Sequence, residues 1–311
     1  MNLMEEIMNL VKSEIGFIGL GVMGAPIARH LISSGFKLLV YDINPDVLDQ
    51  FSGQPVRLAK SPVDVANGVA TVLVSMPNTS ATLKVTMGSD GIMHGTKIKT
   101  YIDLSTTGSV VAKKVAKVLE EKGIASLDSP VTGGIAGAIN GNLTVMVSGP
   151  RDAYDQSEAI YKAFSKLLFF VGEGAGQAQV VKVINNLLSA TALAVTSEAF
   201  VLGAKAGIDA NILLDVINNG TGKNSATEDK FPRSVLPRKF DHFARTEIIY
   251  KDVCLCLEEA EDLGVPMWVG TSVKQLWAFA MSQGAAMDDM TTLVKHLEKL
   301  VGVEVRGKEA I

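Results

Sequence analysis

The sequence predicts an α/β domain built on a doubly wound, mainly parallel sheet, followed by an all-α domain. Three observations predict it. Short apolar runs alternate with helix-like stretches from Ile15 to about Gly172. Beyond Gly176 the strand signals stop, and roughly thirty residues of helical pattern run from Gln177 to about Gly207. The chain has 311 residues, more than the roughly 250–300 at which one hydrophobic core stops growing. The expected division is a lead-in over 1–14, an α/β domain over 15–177 and a helical domain over 178–311.

In chain order, the strand candidates are Ile15–Gly19, Lys37–Tyr41, Thr71–Ser75, Thr100–Leu104, Ala125–Asp128, Leu143–Ser148 and Leu167–Val171. Their rhythm with the intervening helices argues for a sheet covered on both faces. Gly35 and Gly123 each follow an amphipathic stretch, where a left-handed C-terminal cap is easiest. In the second domain the most irregular stretch lies between Asn218 and Lys251, with Gly220, Gly222, Pro232 and Pro237 among several charges. Such loops carry specificity more often than cores do.

Hydrophobic residues make up 47% of the chain and charged residues 20%, an ordinary globular composition. The net charge is −4 and no basic cluster is dense enough for a phosphate backbone, so nucleic acid is excluded as a partner. Cys254 and Cys256 lie two apart in a helical segment and point to different faces, which argues against a disulfide. No apolar run approaches the roughly 20 residues that span a bilayer. No membrane association and a cytoplasmic location are therefore expected. Met1–Glu14 lacks the pattern of a secretory signal and reads as a helical or frayed lead-in, or as an oligomer contact. The four histidines are too scattered for a metal cluster, so no metal is expected.

Gly19-Leu20-Gly21-Val22-Met23-Gly24 sits between an apolar strand and an amphipathic helix. Gly19 permits the tight turn, Gly21 lets the backbone approach a pyrophosphate, and Gly24 allows close packing of the helix, whose N-terminus faces the phosphates. Asp42 follows at the end of the second strand, 18 residues after Gly24. There a carboxylate accepts from ribose hydroxyls and repels a 2′-phosphate, so NAD is the expected cofactor. Met76-Pro77-Asn78 and Asp103-Leu104-Ser105-Thr106-Thr107 occupy later strand ends on the same rim. Met76, Pro77, Ser105 and Thr106 are thus candidate cofactor contacts, although either segment alone is also a turn or an N-cap.

Asp128-Ser-Pro-Val-Thr-Gly-Gly134 offers a hydroxyl at Thr132 and open amides at Gly133 and Gly134. It reads as a carboxylate cradle or as a tight turn. In Val180-Val-Lys182-Val-Ile-Asn-Asn186, the i,i+4 spacing puts an amine and an amide on one helix face. Spacing alone also allows a solvated stripe of Gln179, Lys182, Asn186 and Ser189.

Taken in order, GFIGLGVMGAPIARHL, DSPVTGGIAGAINGNLTVMVSG, GEGAGQAQVVKVINN and YKD resemble the motif regions of the 3-hydroxyisobutyrate (β-hydroxyacid) dehydrogenase family, over nearly all of Ile15 to Val301. The resemblance implies a Rossmann domain joined by a long interdomain helix to an all-helical domain, in a dimer or tetramer. It implies Lys182 as the catalytic lysine, Asn186 as its supporting asparagine, and Thr132, Gly133 and Gly134 as the substrate-carboxylate loop. Lys251 matches a lysine that closes over substrate and cofactor. Many relatives carry a Gly-Phe pair about eight residues before the Lys-Asp. Here that stretch is His242-Phe243-Ala244-Arg245, leaving the pocket wall unaligned; Lys223, Asn224, Ser225 and Arg245 are candidate extra contacts.

The implied reaction moves a hydride between NAD and the alcohol or aldehyde carbon of a small 3-hydroxyacid, with Lys182 as general acid/base. A lysine titrating near ~10.4 needs burial or a neighbouring cation such as Lys251 to serve as a base at neutral pH. The substrate candidates share a carboxylate and include 3-hydroxyisobutyrate, glycerate, serine, threonate and a hydroxymethyl dicarboxylate. A related reductase of semialdehyde acids such as tartronate semialdehyde is an alternative, as is a non-catalytic NAD-binding scaffold, which has no use for Lys182 and Asn186. Imine reductases differ at Lys182, and 6-phosphogluconate dehydrogenases have a larger helical domain.

Overall fold

The computed structural model describes residues 14–307. The lead-in expected for 1–14 lies outside them except for Glu14, which opens the first strand. The strands are β1 (Glu14–Ile18), β2 (Lys37–Tyr41), β3 (Val56–Leu58), β4 (Thr71–Val74), β5 (Thr100–Asp103), β6 (Ala125–Asp128), β7 (Val131–Thr132), β8 (Leu143–Ser148) and β9 (Ser165–Gly172). They form one sheet in the order β3-β2-β1-β4-β5-β6-β8-β7, with β9 beside β8. From β3 to β6 all pairs are parallel; β8 runs antiparallel to β6 and β7, and β9 parallel to β8. The chain winds outward from β1 to β3, then crosses back to β4. That reversal leaves a crevice beyond the C-terminal ends of β1 and β4, where doubly wound sheets bind ligands.

The covering helices are α1 (Gly24–Ser33), α2 (Pro45–Asp49), α3 (Pro62–Gly68), α4 (Thr79–Met87), α5 (Ser109–Glu120), α6 (Gly134–Ile139) and α7 (Arg151–Lys162). Successive strand residues point to opposite faces. Leu38, Val40, Leu73 and Ile102 pack in one layer with Ile27 and Leu31 of α1 and Tyr161 of α7. Leu39, Val72, Val74 and Tyr101 pack in the other with Val65 of α3 and Leu119 of α5. Burial on both sides explains why these strands read as unbroken apolar runs. Sequence patterning missed β3 and β7. The first is three residues with Arg57 at its centre, and the second is two residues inside the stretch expected to be loop.

The next helix, α8, spans Gln177–Lys205, 29 residues. The chain divides within it into two units, Met1–Lys182 and Val183–Ile311. Against expectation, α8 is long and apolar enough by length and composition to cross a membrane, but half of its most apolar window is buried inside the protein. The second unit continues with α9 (Ala210–Asn218), a π-helical stretch over Ala226–Val235, α10 (Thr246–Asp262), α11 (Trp268–Ser282) and α12 (Leu293–Val301). Its core gathers Leu193, Phe200, Phe231, Trp277 and Leu293, with the Phe200 and Phe231 rings 4.4 Å apart between centroids. The stretch expected to be irregular is thus partly helical. Pro232 within it has no N–H to donate, and the Leu236 N–H reaches back five residues to the Phe231 carbonyl at 2.9 Å. Irregularity concentrates just beyond, where Arg238, Phe240 and Phe243 adopt φ of 59°, 52° and 65°.

Candidate active site

The glycine loop joins β1 to α1 at the sheet's crevice. Gly19 has φ 92°, and a side chain there would overlap the Ser75 carbonyl and the Met76 methyl. A Cβ on Gly24 would overlap the Gly19 carbonyl, so only glycine lets α1 approach the strand this closely. Gly21 differs, since a Cβ there meets nothing within 4 Å. No packing need accounts for Gly21, and its backbone is left open to a close approach. No side chain caps α1; the Ala25 N–H is taken by the Gly21 carbonyl at 2.9 Å and Pro26 has no N–H, so α1 offers an anion the positive end of its dipole rather than a row of free first-turn donors. Asp42 accepts from the Leu20 N–H at 2.6 Å and the Asn44 N–H at 2.9 Å, and a carboxylate has lone pairs for further donors. These residues fit a dinucleotide.

Two further turns are tied to this rim. The Met76 N–H donates to Ser105 Oγ at 2.8 Å, and the Ser105 N–H donates to Asp103 Oδ1 at 2.9 Å. Burial pushes the Asp103 carboxyl up to about 7, against the pull of its hydrogen bonds to Ser105. Pro77 is exposed and Thr106 half-buried. Neither Thr106 nor Thr107 caps α5, although both are suitable residue types. The N-cap is Gly108, with φ 79° and no side-chain bond, and Thr107 is buried with its hydroxyl making no hydrogen bond.

Thr132 ends the short strand β7, paired with Thr144 on β8. Gly133 and Gly134 follow with φ of 126° and 64°, conformations that favour glycine, and both are exposed. Gly176, just before α8, donates its N–H to Asp128, and the Ala178 N–H donates to Ser148 Oγ at 2.9 Å. Ser148 Oγ donates in turn to Asp128 at 3.1 Å. A carboxylate at the end of β6 thereby holds the positive end of the helix that carries Lys182. Burial raises the Asp128 carboxyl, while these two donors work against the rise.

The solvated stripe is overturned. Gln179 is 0% exposed and Lys182 9% exposed, and Asn186 and Ser189 are half-buried. Asn186 donates from Nδ2 to Asp252 Oδ2 at 2.6 Å and accepts from Asn185 Nδ2 at 3.1 Å. Asp252, 2% exposed, also lies 2.7 Å from Lys251 Nζ, a charge contact without hydrogen-bond alignment. Its two carboxylate oxygens thus bring together Asn186 and Lys251, two of the residues of the helical unit singled out from sequence.

Two family profiles cover the chain. Residues 14–172 match the NAD binding domain of 6-phosphogluconate dehydrogenase, and residues 176–297 match the NAD-binding region of NADP-dependent 3-hydroxyisobutyrate dehydrogenase. The mitochondrial 3-hydroxyisobutyrate dehydrogenase of Rattus norvegicus is 30% identical over 295 residues, 93% of this chain and 88% of that one. The chain belongs to the 3-hydroxyisobutyrate dehydrogenase family. The 2-(hydroxymethyl)glutarate dehydrogenase of Eubacterium barkeri, within the same range, is 31% identical over 94% of this chain and 98% of its own. The Mycobacterium tuberculosis 3-hydroxyisobutyrate dehydrogenase, solved with L-serine, superposes with a TM-score of 0.82 at 26% identity, covering 92% of this chain and 99% of that one.

Membership of the 3-hydroxyisobutyrate dehydrogenase family makes the cofactor a nicotinamide dinucleotide. Sequence reasoning missed Asp128, Gln179 and Asp252 as parts of the site. Asp252 stands beside Lys251 in the Tyr-Lys-Asp motif, a signal that was present; a lone Gln on a helix gives none. The four extra polar candidates have local partners. Lys223 pairs with Glu228 at 2.7 Å, Arg245 with Glu247 at 3.4 Å, and Ser225 accepts from Lys230 at 3.3 Å. Asn224 Oδ1 accepts from the Ala226 N–H at 2.8 Å.

Proposed function

We propose that this protein is an NAD-dependent dehydrogenase of small 3-hydroxyacids in which Lys182 exchanges the proton of the reacting hydroxyl. The observation that carries the reading is Lys182 itself, kept to 9% exposure on a helix whose start is tied into the cofactor-binding unit. A buried amine is suited to proton transfer rather than to solubility, since burial favours its neutral form.

The bound cofactor supplies the hydride acceptor, or the donor in reverse. Gly19, Leu20, Gly21, Val22, Met23 and Gly24 form the loop that would cradle its pyrophosphate, the Gly19 and Leu20 N–H groups being given to Tyr41 and Asp42 in shaping it, and Met76, Pro77, Ser105 and Thr106 would line its rim. Asp42 accepts from the ribose hydroxyls, and its charge disfavours a 2′-phosphate, giving NAD over NADP. Thr132, Gly133 and Gly134 receive the substrate carboxylate through a hydroxyl and unobstructed amides. Lys182 takes the hydroxyl proton during oxidation and returns it during reduction. Asn186, its amide oriented by Asp252, supports Lys182, and Lys251 contributes a second cation toward substrate and cofactor.

The named relatives act on 3-hydroxyisobutyrate and 2-(hydroxymethyl)glutarate, both primary alcohols with a carboxylate in reach. The same class is proposed here, with 3-hydroxyisobutyrate first. A homo-oligomer is supported by a stripe of exposed apolar residues along α8, with Val181, Leu188, Val195 and Leu202 at seven-residue spacing. Two free thiols fit a reducing, cytoplasmic setting. The test is a panel of 3-hydroxyacids and their semialdehydes offered with NAD and then NADP, following the absorbance of reduced nicotinamide. Turnover of at least one member with NAD is expected. NAD binding without turnover of any member, in either direction, would favour a non-catalytic role.

A further inference from the structure

Gln179 stands three residues before Lys182 on α8, so the two side chains leave neighbouring points of one helix face. It is wholly buried, and both ends of its amide are bonded. Oε1 accepts from the N–H groups of Thr107 at 3.0 Å and Gly108 at 3.3 Å, and Nε2 donates to the Ser105 carbonyl at 3.0 Å. The orientation is unambiguous, because the flipped amide would set an NH2 against two N–H donors and an oxygen against a carbonyl. Its three partners form the turn between β5 and α5, and Ser105 of that turn also accepts from the Met76 N–H. One side chain therefore locks the first turn of the lysine-bearing helix onto the segments that line the cofactor rim.

We infer that Gln179 is a positioning residue, fixing the height and rotation of Lys182 relative to the Ser105–Gly108 turn. The inference rests on Lys182 as the proton-transfer residue. Removing the amide leaves α8 attached through Asp128 and Ser148 at its N-terminus, so the helix persists while the lysine loses its lateral reference. A displacement of about 1 Å at a reacting group costs on the order of a hundredfold in rate.

The test compares Gln179→Met, which keeps length without hydrogen bonds, with Gln179→Glu, whose neutral form keeps both acceptor and donor. Lys182→Ala and the Gln179→Met/Lys182→Ala double variant complete the cycle. In Gln179→Met, kcat is expected to fall about 10–100-fold while the KM for NAD moves less than about threefold. Gln179→Glu should keep more of the rate than Gln179→Met at low pH and lose it as the carboxyl ionises. The double variant should be no slower than Lys182→Ala alone, since residues acting as a unit are not additive. In the cofactor-free protein, acylation of Lys182 followed by mass spectrometry should quicken several-fold in Gln179→Met while other lysines label unchanged. An unchanged kcat in Gln179→Met, a multiplicative loss in the double variant, or unaltered Lys182 labelling would overturn the inference. Full activity in Lys182→Ala alone would remove the proton-transfer reading instead, leaving the labelling to decide whether Gln179 positions the lysine.

Discussion

Asp42 carries two duties on one carboxylate, holding the glycine loop through Leu20 and setting the following turn through Asn44. Asp42→Asn removes the charge and keeps an acceptor. The ratio of kcat/KM for NAD to that for NADP should fall about tenfold or more, roughly 1.4 kcal/mol of discrimination, as read from initial rates. The loop's glycines separate by role. Gly21→Ala should leave thermal stability unchanged and weaken NAD binding, because its Cβ meets nothing; Gly24→Ala should lose about 1–3 kcal/mol in denaturant unfolding, because its Cβ meets backbone. Asp103 gives a pH signature. Its folded carboxyl titrates at about 7 against 3.8 ordinarily, so its stabilising contribution is full below about 3.8 and is lost as pH rises through about 7. The wild type should therefore lose ground to Asp103→Asn between pH 5 and 8, by on the order of 2–4 kcal/mol in paired unfolding curves. Gly19 and Gly24 were legible in the sequence because backbone geometry leaves so few residues able to stand there, while Gly21 and Asp42 stood out by their spacing in the motif. Gln179 was not, since a single amide on a helix reads the same whether solvated or buried.

Strands buried on both faces, such as β2, β4 and β5, announce themselves as apolar runs, and α8 is long enough for its periodicity to stand out. β3 and β7 were invisible because two or three residues carry no period, and pairing with a neighbour is what makes them strands. The antiparallel placement of β8 was equally hidden, as direction depends on how the chain returns from β7. Across elements, the buried tie from Asp128 to the start of α8 has an energetic consequence. Asp128→Ala removes acceptors from the Gly176 N–H and the Ser148 hydroxyl, and should cost about 2–3 kcal/mol in denaturant unfolding, since hydrogen bonds to a charged group contribute most.

For the whole molecule, the exposed stripe on α8 points to association, and a charge placed in it tests that. Leu188→Glu with Leu202→Glu should shift the mass measured by light scattering toward a single chain, while circular dichroism stays helical. The helix α8 is shared by both units, its residues 177–182 belonging to the first and its remainder to the second. The change from strand to helical signals was readable near Gly176, a few residues before the division at Lys182, and the motif order pointed to Lys182 as the candidate lysine without showing how its helix is held. The central claim is that Lys182 handles the proton. Its most direct test is kcat for hydroxyacid oxidation at saturating NAD, measured against pH in the wild type and in Lys182→Ala. A wild-type rate that climbs with pH, and a variant slower by about 10²–10⁴-fold whose residual rate no longer follows that climb, is the expected result. A variant that keeps its rate within a few-fold of the wild type across the pH range would contradict it.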